Sequence, residues 1–269
     1  AALYFGGSDA PAANPSNASE EFNGTSWSEG NNLSQTRRNL GGNGVQTSAI
    51  AVGGMVAPPG TIYANVEEYD GTSWTAGTAY PVAARGIAVI ASSSTDAIAY
   101  GGNNSGSPFP AVTSKQYDGT AWTALADLSS TKQNSMSGGT TSAGLAVGGP
   151  GSSQISTTEE WNFSTTTVTP AAWSSGGNLS QARTEFAAAQ NSTQNAGLVF
   201  GGFDGSTTIY NATEEYDGSA WSSGGNLPQG LRVPGGAGTQ TAGLSVAGRN
   251  GPSPTARINN TYEYDGSTW

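Results

Sequence analysis

The sequence predicts an all-β fold made of six copies of one four-stranded antiparallel unit. Three observations carry that prediction. Trp27, Trp74, Trp122, Trp173, Trp221 and Trp269 recur about every 48 residues. A Gly-Gly pair keeps the same interval at Gly6-Gly7, Gly53-Gly54, Gly101-Gly102, Gly148-Gly149 and Gly201-Gly202, with a degraded sixth copy, Ala247-Gly248. Between Gly-Gly and Trp lies an alternating segment that ends, in every repeat but the fourth, in Asp-Gly or Asn-Gly. Self-similarity at ~40–50 residues marks a propeller or a solenoid. Four short strands per repeat is the build of one propeller blade.

The second repeat shows the elements in order. Residues 38–45, Arg-Asn-Leu-Gly-Gly-Asn-Gly-Val, are glycine-rich and suit a first strand hemmed in by neighbours. Ser48-Ala49-Ile50-Ala51-Val52 is apolar and β-branched, and stops at Gly53-Gly54. A variable loop, 55–64, follows. Asn65-Val66-Glu67-Glu68-Tyr69 alternates as a third strand, and Asp70-Gly71 suits a type I′ hairpin turn. Thr72-Ser73-Trp74 opens the fourth strand. The second strand recurs as Ala97-Ile98-Ala99-Tyr100, Gly144-Leu145-Ala146-Val147, Gly197-Leu198-Val199-Phe200 and Gly243-Leu244-Ser245-Val246. The fourth repeat departs: Trp161-Asn162-Phe163 runs on before Trp173, predicting a longer, protruding hairpin. The recurring Trp and Tyr are expected to be structural, burying rings against the next blade.

Six motifs predict six blades in one domain spanning 1–269. Ala1–Gly7 is a second strand with no first strand before it, so the inner strand of the first blade is absent from this sequence. The chain is therefore expected to belong to a longer polypeptide, or to have the gap filled by another chain.

Composition narrows the chemistry. Apolar residues are 35%, and the 40 glycines bring the sum to about 50%, an ordinary globular value. Charged residues are only 10%, against ~25% typically. Ser, Thr, Asn and Gly take their place, which suits an exposed, secreted or virion protein. Nine Lys and Arg against nineteen acids give a net charge of −10. That balance argues against nucleic-acid binding, which needs cations on phosphates, and against adsorption to anionic lipid. No apolar run reaches the ~20 residues of a membrane helix. Without Cys or His there is no Ser-His-Asp or Cys-His triad, and no zinc site built from those ligands. Asp96 and Asp204-Gly205 could offer oxygen to calcium, but without regular acidic spacing. No enzyme activity, metal or cofactor is expected.

The order apolar strand, Gly-Gly, variable loop, Glu-Tyr-Asp strand, Trp resembles the kelch repeat over the whole chain, with a tighter Tyr-to-Trp spacing. The resemblance implies a six-bladed kelch-like β-propeller. The wording of residues 214–227, Glu-Glu-Tyr-Asp-Gly-Ser-Ala-Trp-Ser-Ser-Gly-Gly-Asn-Leu, and of 239–244, Thr-Gln-Thr-Ala-Gly-Leu, resembles repeat proteins of uncultured marine tailed phages. Kelch-type copper oxidases need His ligands, so that activity does not carry over. Sialidases share six blades, but Asp70-Gly71-Thr72-Ser73-Trp74 lacks the spacer of their Asp-box.

Two candidate binding surfaces remain. One cation lies about 16 residues before each Gly-Gly: Arg37, Arg85, Lys132, Arg183 (slightly farther) and Arg232. In kelch propellers that position opens the innermost strand, near the mouth of the central channel. There the five would form an anion-binding ring, or each would pair with the repeat's own acids (Glu20/Glu21, Glu67/Glu68, Glu159/Glu160, Glu214/Glu215, Glu263). The second surface is the variable loops 55–64, 103–111, 150–156, 203–210 and 249–258, with aromatics Tyr63, Phe109, Phe203 and Tyr210. All follow Gly-Gly and so emerge on one face, where binding residues concentrate.

The expected function is a non-enzymatic interaction module on a phage virion, in a tail fibre or on the capsid surface, contacting a host glycan or a neighbouring virion protein. The alternatives are a secreted or cell-surface microbial adhesion propeller and a hydrolase of carbohydrates using paired carboxylates.

Overall fold

A strand that is apolar on both faces is stable only if both faces are covered. The second strand of repeats two to five is of that kind: Ile50, Val52, Ile98, Leu145, Leu198 and Phe200 are all buried. Around it each repeat folds as one antiparallel sheet in sequence order. The computed structural model describes residues 2–8, 14–56, 60–104, 111–149, 156–163, 172–251 and 256–269.

The first sheet holds β1 (Ala2–Phe5), β2 (Ser19–Phe22) and β3 (Trp27–Glu29). The second holds β4 (Gly41–Val45), β5 (Ser48–Val52), β6 (Val66–Tyr69) and β7 (Trp74–Ala76). The third holds β8 (Arg85–Ser93), β9 (Asp96–Asn103), β10 (Ser114–Tyr117) and β11 (Trp122–Ala124). These three make one compact unit, Ala1–Asp127. The other unit, Leu128–Trp269, holds three more sheets. They are β12 (Met136–Gly139) to β15 (Ala172–Ser175) through β13 (Ala143–Val147) and β14 (Thr158–Asn162); then β16 (Ala187–Ala188), β17 (Gly197–Phe200), β18 (Thr213–Tyr216) and β19 (Trp221–Ser223); and β20 (Gly235–Thr239), β21 (Ala242–Val246) and β22 (Thr261–Tyr264). The architecture is all-β, with six blades of three or four antiparallel strands; the first blade has three. The long hairpin expected in the fourth repeat falls on 164–171, outside the described residues.

Within each unit the first strands of successive blades converge: β4 packs on β8, and β16 on β20. That convergence explains their glycines. A β-carbon on Gly41 would sit 2.6 Å from the Ile87 carbonyl oxygen, and one on Gly236 2.3 Å from that of Ala188.

Neighbouring blades are joined by the third strand. Tyr69 donates its hydroxyl to Glu21 of the blade before. Tyr117 does the same to Glu68 at 2.6 Å, Tyr216 to Glu160 at 2.6 Å and Tyr264 to Glu215 at 2.5 Å. All four tyrosines are buried, whereas the repeating Trp are only half-buried. The difference follows from position, since Trp27, Trp74, Trp122, Trp173 and Trp221 stand on their sheets' outermost strands. Trp74, Trp122, Trp221 and Trp269 each lie against their own blade's Tyr, with ring centroids 4.8–5.0 Å apart. Each indole N–H reaches the preceding blade: Trp74 donates to Ser19 Oγ, Trp221 to Thr158 Oγ1 and Trp269 to Thr213 Oγ1. The matching residue of the second blade is Val66, which has no hydroxyl, and Trp122 donates to the Thr78 carbonyl instead.

The Asp-Gly hairpins before Trp74, Trp122, Trp221 and Trp269 differ from the type I′ turn expected. Tyr69 pairs directly with Trp74, which leaves a four-residue loop. Asp70 Oδ1 accepts from Thr72 N at 2.8 Å and Ser73 N at 2.7 Å. Asp118, Asp217 and Asp265 repeat that arrangement. The aspartate serves as a local cap rather than as a positive-φ residue. Its backbone donors hold the Asp70 carboxyl below the usual range and that of Asp265 at about 2.

Gly-Gly turns the chain out of the second strand. Gly53 has φ +64, and a β-carbon there would meet the Ala84 carbonyl oxygen at 2.3 Å. Gly54 N donates to that same oxygen at 2.8 Å. Ala247 holds the equivalent place in the sixth repeat with φ 55, a conformation costing a non-glycine roughly 1–2 kcal/mol. Ala247→Gly is therefore expected to stabilise the protein by about 0.5–1 kcal/mol after the added unfolded-state entropy is counted. Gly53→Ala should cost more than Gly24→Ala, since Gly24 faces open space. Chemical denaturation of the three variants checks both signs.

Burial, then the carboxylate partner, pushes the Tyr69, Tyr216 and Tyr264 phenols up to about 12. The unfolded value is ~10. A raised acid favours the protonated folded form, so this stabilisation is complete below pH ~10 and is lost as pH rises towards 12. Denaturation midpoints should fall across that window. Tyr216→Phe should lower the unfolding free energy at neutral pH by about 1–3 kcal/mol and shallow the alkaline slope.

Candidate functional site

The five predicted cations occupy two positions, not one. Arg37, Lys132 and Arg183 are fully buried and share the first position. Arg37 Nη2 meets Glu67 Oε1 at 2.5 Å, Arg183 Nη2 meets Glu214 Oε1 at 2.5 Å, and Lys132 Nζ lies 3.4 Å from Glu159 Oε1. Each acid also accepts a backbone N–H, from Ser34, Ser180 and Ser129 respectively. Burial pushes both guanidiniums and the ammonium down, while the carboxylates oppose it. Burial raises the Glu159 carboxyl, but the Ser129 N–H, Lys132 and Ser130 outweigh it and hold it below its usual range.

These cations brace the variable loops. Arg37 Nη1 donates to the carbonyls of Gly53 at 2.7 Å and Asn65 at 3.0 Å, the two ends of loop 55–64. Arg183 Nη1 does the same to Gly201 and Ala212, the two ends of loop 203–210. Lys132 reaches Thr157 Oγ1 at 3.0 Å. In the second and fifth repeats the two features expected from the sequence therefore meet, the buried cation tying together the ends of its own loop.

In the third and sixth repeats the whole set is exchanged. Ala84 and Leu231 stand where Arg37 stands: the carbonyls of Arg37, Ala84 and Leu231 accept from Gly7, Gly54 and Gly202 respectively. The acid's place is taken by Lys115 and Tyr262, paired with Ala99 and Ser245 as Glu67 is with Ala51. The serine whose N–H the acid accepts becomes Pro81 and Pro228, which have none. Donor, cation and acid come or go together.

Arg85 and Arg232 lie one residue further on, and both reach back to the previous blade's loop. Arg85 Nη1 is 3.2 Å from Met55 Sδ. The Arg232 guanidinium lies 4.1 Å from the centre of the Phe203 ring, and its Nε meets Glu185 Oε2 at 2.5 Å. Counting residues merged the two positions for physical reasons. A β-bulge between Ala91 and Ser93 adds a residue in the third repeat, and Ala247 hides the first glycine of the sixth.

Of the loop aromatics, Phe203 is buried under Arg232. Tyr63 and Tyr210 are half-buried at the loop bases, where their N–H groups donate to the Gly54 and Gly202 carbonyls. Phe109 lies outside the described residues. The loops begin as short ribbons through the bridges Arg38↔Met55↔Ile62, Thr184↔Phe203↔Ile209 and Arg232↔Arg249↔Arg257. Sequence reasoning missed Glu185, Arg249 and Arg257. The available signal was Arg249 directly after the degraded Gly-Gly, and an acid at 185 outside the repeating Glu-Glu-Tyr segment.

Among the described residues no three acids gather as a metal site, and no helix is long and apolar enough to cross a membrane. Asp204 Oδ1 is engaged by the N–H groups of Ser206, Thr207 and Thr208.

No protein-family model matches the sequence, and no curated protein does. Among solved structures the chain is similar to the structure of YjhT, with a TM-score of 0.75 over 96% of this chain and 92% of that one. The identity is 11%, so the likeness shows the fold alone: a six-bladed β-propeller.

A buried pair broken on one side strands a charge. Arg183→Leu is expected to cost about 3–5 kcal/mol. Adding Glu214→Tyr and Ser180→Pro, the set carried by the sixth repeat, should recover more than half of that loss. Denaturant unfolding of the single and triple variants reads it.

Proposed function

We propose that this propeller is a non-enzymatic interaction module that recognises its partner through the loops following Gly-Gly. One observation carries the reading. Buried cation–Glu pairs lock the ends of loops whose sequences differ from repeat to repeat. Rigid bases under variable tips are the arrangement of a recognition surface. The lack of His and Cys leaves few routes to nucleophilic or metal-assisted chemistry.

The finer reading is a virion protein of a phage, on a tail fibre or the capsid surface, that binds a host glycan or a neighbouring virion protein. Support comes from the wording of residues 214–227 and 239–244 and from a polar surface with few charges. Half-buried Tyr63 and Tyr210 at the loop bases suit stacking on a sugar ring or a protein side chain.

A glycan array probed with the labelled protein, with products assayed in parallel, tests the proposal. Binding without turnover is expected. Tyr63→Ala or Tyr210→Ala should weaken it at least about tenfold, as for loss of a central aromatic anchor, with unchanged melting. Release of sugar would instead establish the hydrolase. Retention on cells of a microbial producer would favour the adhesion alternative.

A further inference from the structure

The second cation position carries the same arginine in both units, once with an acid and once without. Arg232 goes with Glu185 and Phe203 in one unit, and Arg85 with Asn39 and Met55 in the other. The two sets correspond bond for bond. Val233 N donates to Glu185 O at 2.7 Å, and Gly86 N to Asn39 O at 2.7 Å. Phe203 bridges Thr184, the residue before Glu185, and Met55 bridges Arg38, the residue before Asn39. The turn residues share positive φ: 55 at Glu185, 53 at Val233, 53 at Asn39 and 60 at Gly86.

At Arg232 the place beside the guanidinium is filled from within. Glu185 Oε2 meets Nε at 2.5 Å, and the guanidinium carbon lies 4.1 Å from the centre of the Phe203 ring. Asparagine adopts positive φ readily, and glutamate does not. The acid is held there against its backbone preference, and its carboxylate is what Arg232 gains.

At Arg85 no acid stands there. Asn39 is neutral and exposed, and Met55 takes the place of the ring. Arg85 is half-buried and forms no ion pair among the described residues. Its one side-chain hydrogen bond among them runs from Nη1 to Met55 Sδ at 3.2 Å, and a thioether is a weak acceptor. Nε, the atom that Glu185 takes on Arg232, is buried without a partner among the described residues. Nη2, on the same edge of the fork, is open to solvent. Arg37 and Arg183 also leave Nε unpaired, but each gives Nη2 to a glutamate. Arg38, across the ribbon from Met55, is engaged elsewhere, so the site rests on Arg85.

We propose that Arg85, with Asn39 beside it, binds a glutamate side chain of a partner protein in the place that Glu185 takes on Arg232. A carboxylate arriving at Nη2 can take Nε on the same edge, the paired contact that a guanidinium makes best. The internal occupant of the matching place is a glutamate, which favours an acidic protein segment over other carboxylates. The inference rests on the reading of the loops as a recognition surface and names one partner chemistry for it.

Titration of the intact chain, followed by NMR amide shifts, tests this. The probes are a short blocked peptide with one central glutamate, its glutamine twin, and glucuronate. Saturable one-to-one binding of the glutamate peptide is expected, at least about tenfold tighter than its twin, the value of one charge-assisted hydrogen bond. Arg85→Gln should abolish that preference. Asn39→Glu should supply the carboxylate from within, as Glu185 does, and weaken the peptide at least about tenfold with no loss of melting temperature. It keeps the test decisive if Arg85→Gln does not fold. Failure of the glutamate peptide to saturate, the parental preference in Arg85→Gln, parental affinity in Asn39→Glu, or tighter binding of glucuronate would overturn the proposal. Glycan-array binding that persists after such a result would leave the loops as the recognition surface, so the two readings fail separately.

Discussion

A phenol buried against a neighbour's carboxylate is the bond that orders each unit. Tyr69, Tyr117, Tyr216 and Tyr264 each reach the second Glu of the preceding blade's third strand. The ring supplies apolar area and the hydroxyl supplies direction, so burial and register are fixed by one side chain. The hydrogen bond is charge-assisted and partly shielded from water, which makes leaving it unmade costly. The Trp on the next strand adds a second, outer bond to the same neighbour. Its acceptor changes from hydroxyl to carbonyl when Val66 removes the usual partner, which shows that the indole position is set by packing and its partner by availability.

The first Glu of the same strand has a different task. With Arg37, Lys132 or Arg183 it forms a buried pair that ties together the ends of a loop. Such pairs rarely add net stability over apolar replacements, and this chain contains the comparison. Ala84 with Lys115, and Leu231 with Tyr262, fold into the same blade without them. What the pairs supply is a defined geometry at the loop base. The proline that accompanies their loss removes the N–H that would otherwise seek the missing carboxylate.

The blade plan was legible because periodic aromatic and glycine positions are imposed by backbone crowding, which is the same in every repeat. Ser48–Val52 and Gly197–Phe200 are strands within the very limits their composition suggests. Less legible was anything set by a single inserted or altered residue. The bulge at Ala91–Ser93 and the alanine at 247 moved two arginines into false alignment with three others. The Asp-Gly pairs read as tight turns because the local signal cannot tell a positive-φ Asp from one capping the next two amides. The cluster of Arg232, Arg249 and Arg257 depends on a loop ribbon folding back on itself, and no spacing rule announces that.

A joint with the same donor and the same acceptor at each step is indifferent to which two blades it unites. Duplicating or deleting the second repeat or the fifth would leave every such junction chemically matched. The third and fourth repeats each lack part of the joint: Gln116 stands in place of the accepting Glu and Trp161 in place of the donating Tyr, its indole turned to the Thr141 carbonyl. Recombination can therefore lengthen or shorten either half at its middle repeat without breaking a phenol–carboxylate bond.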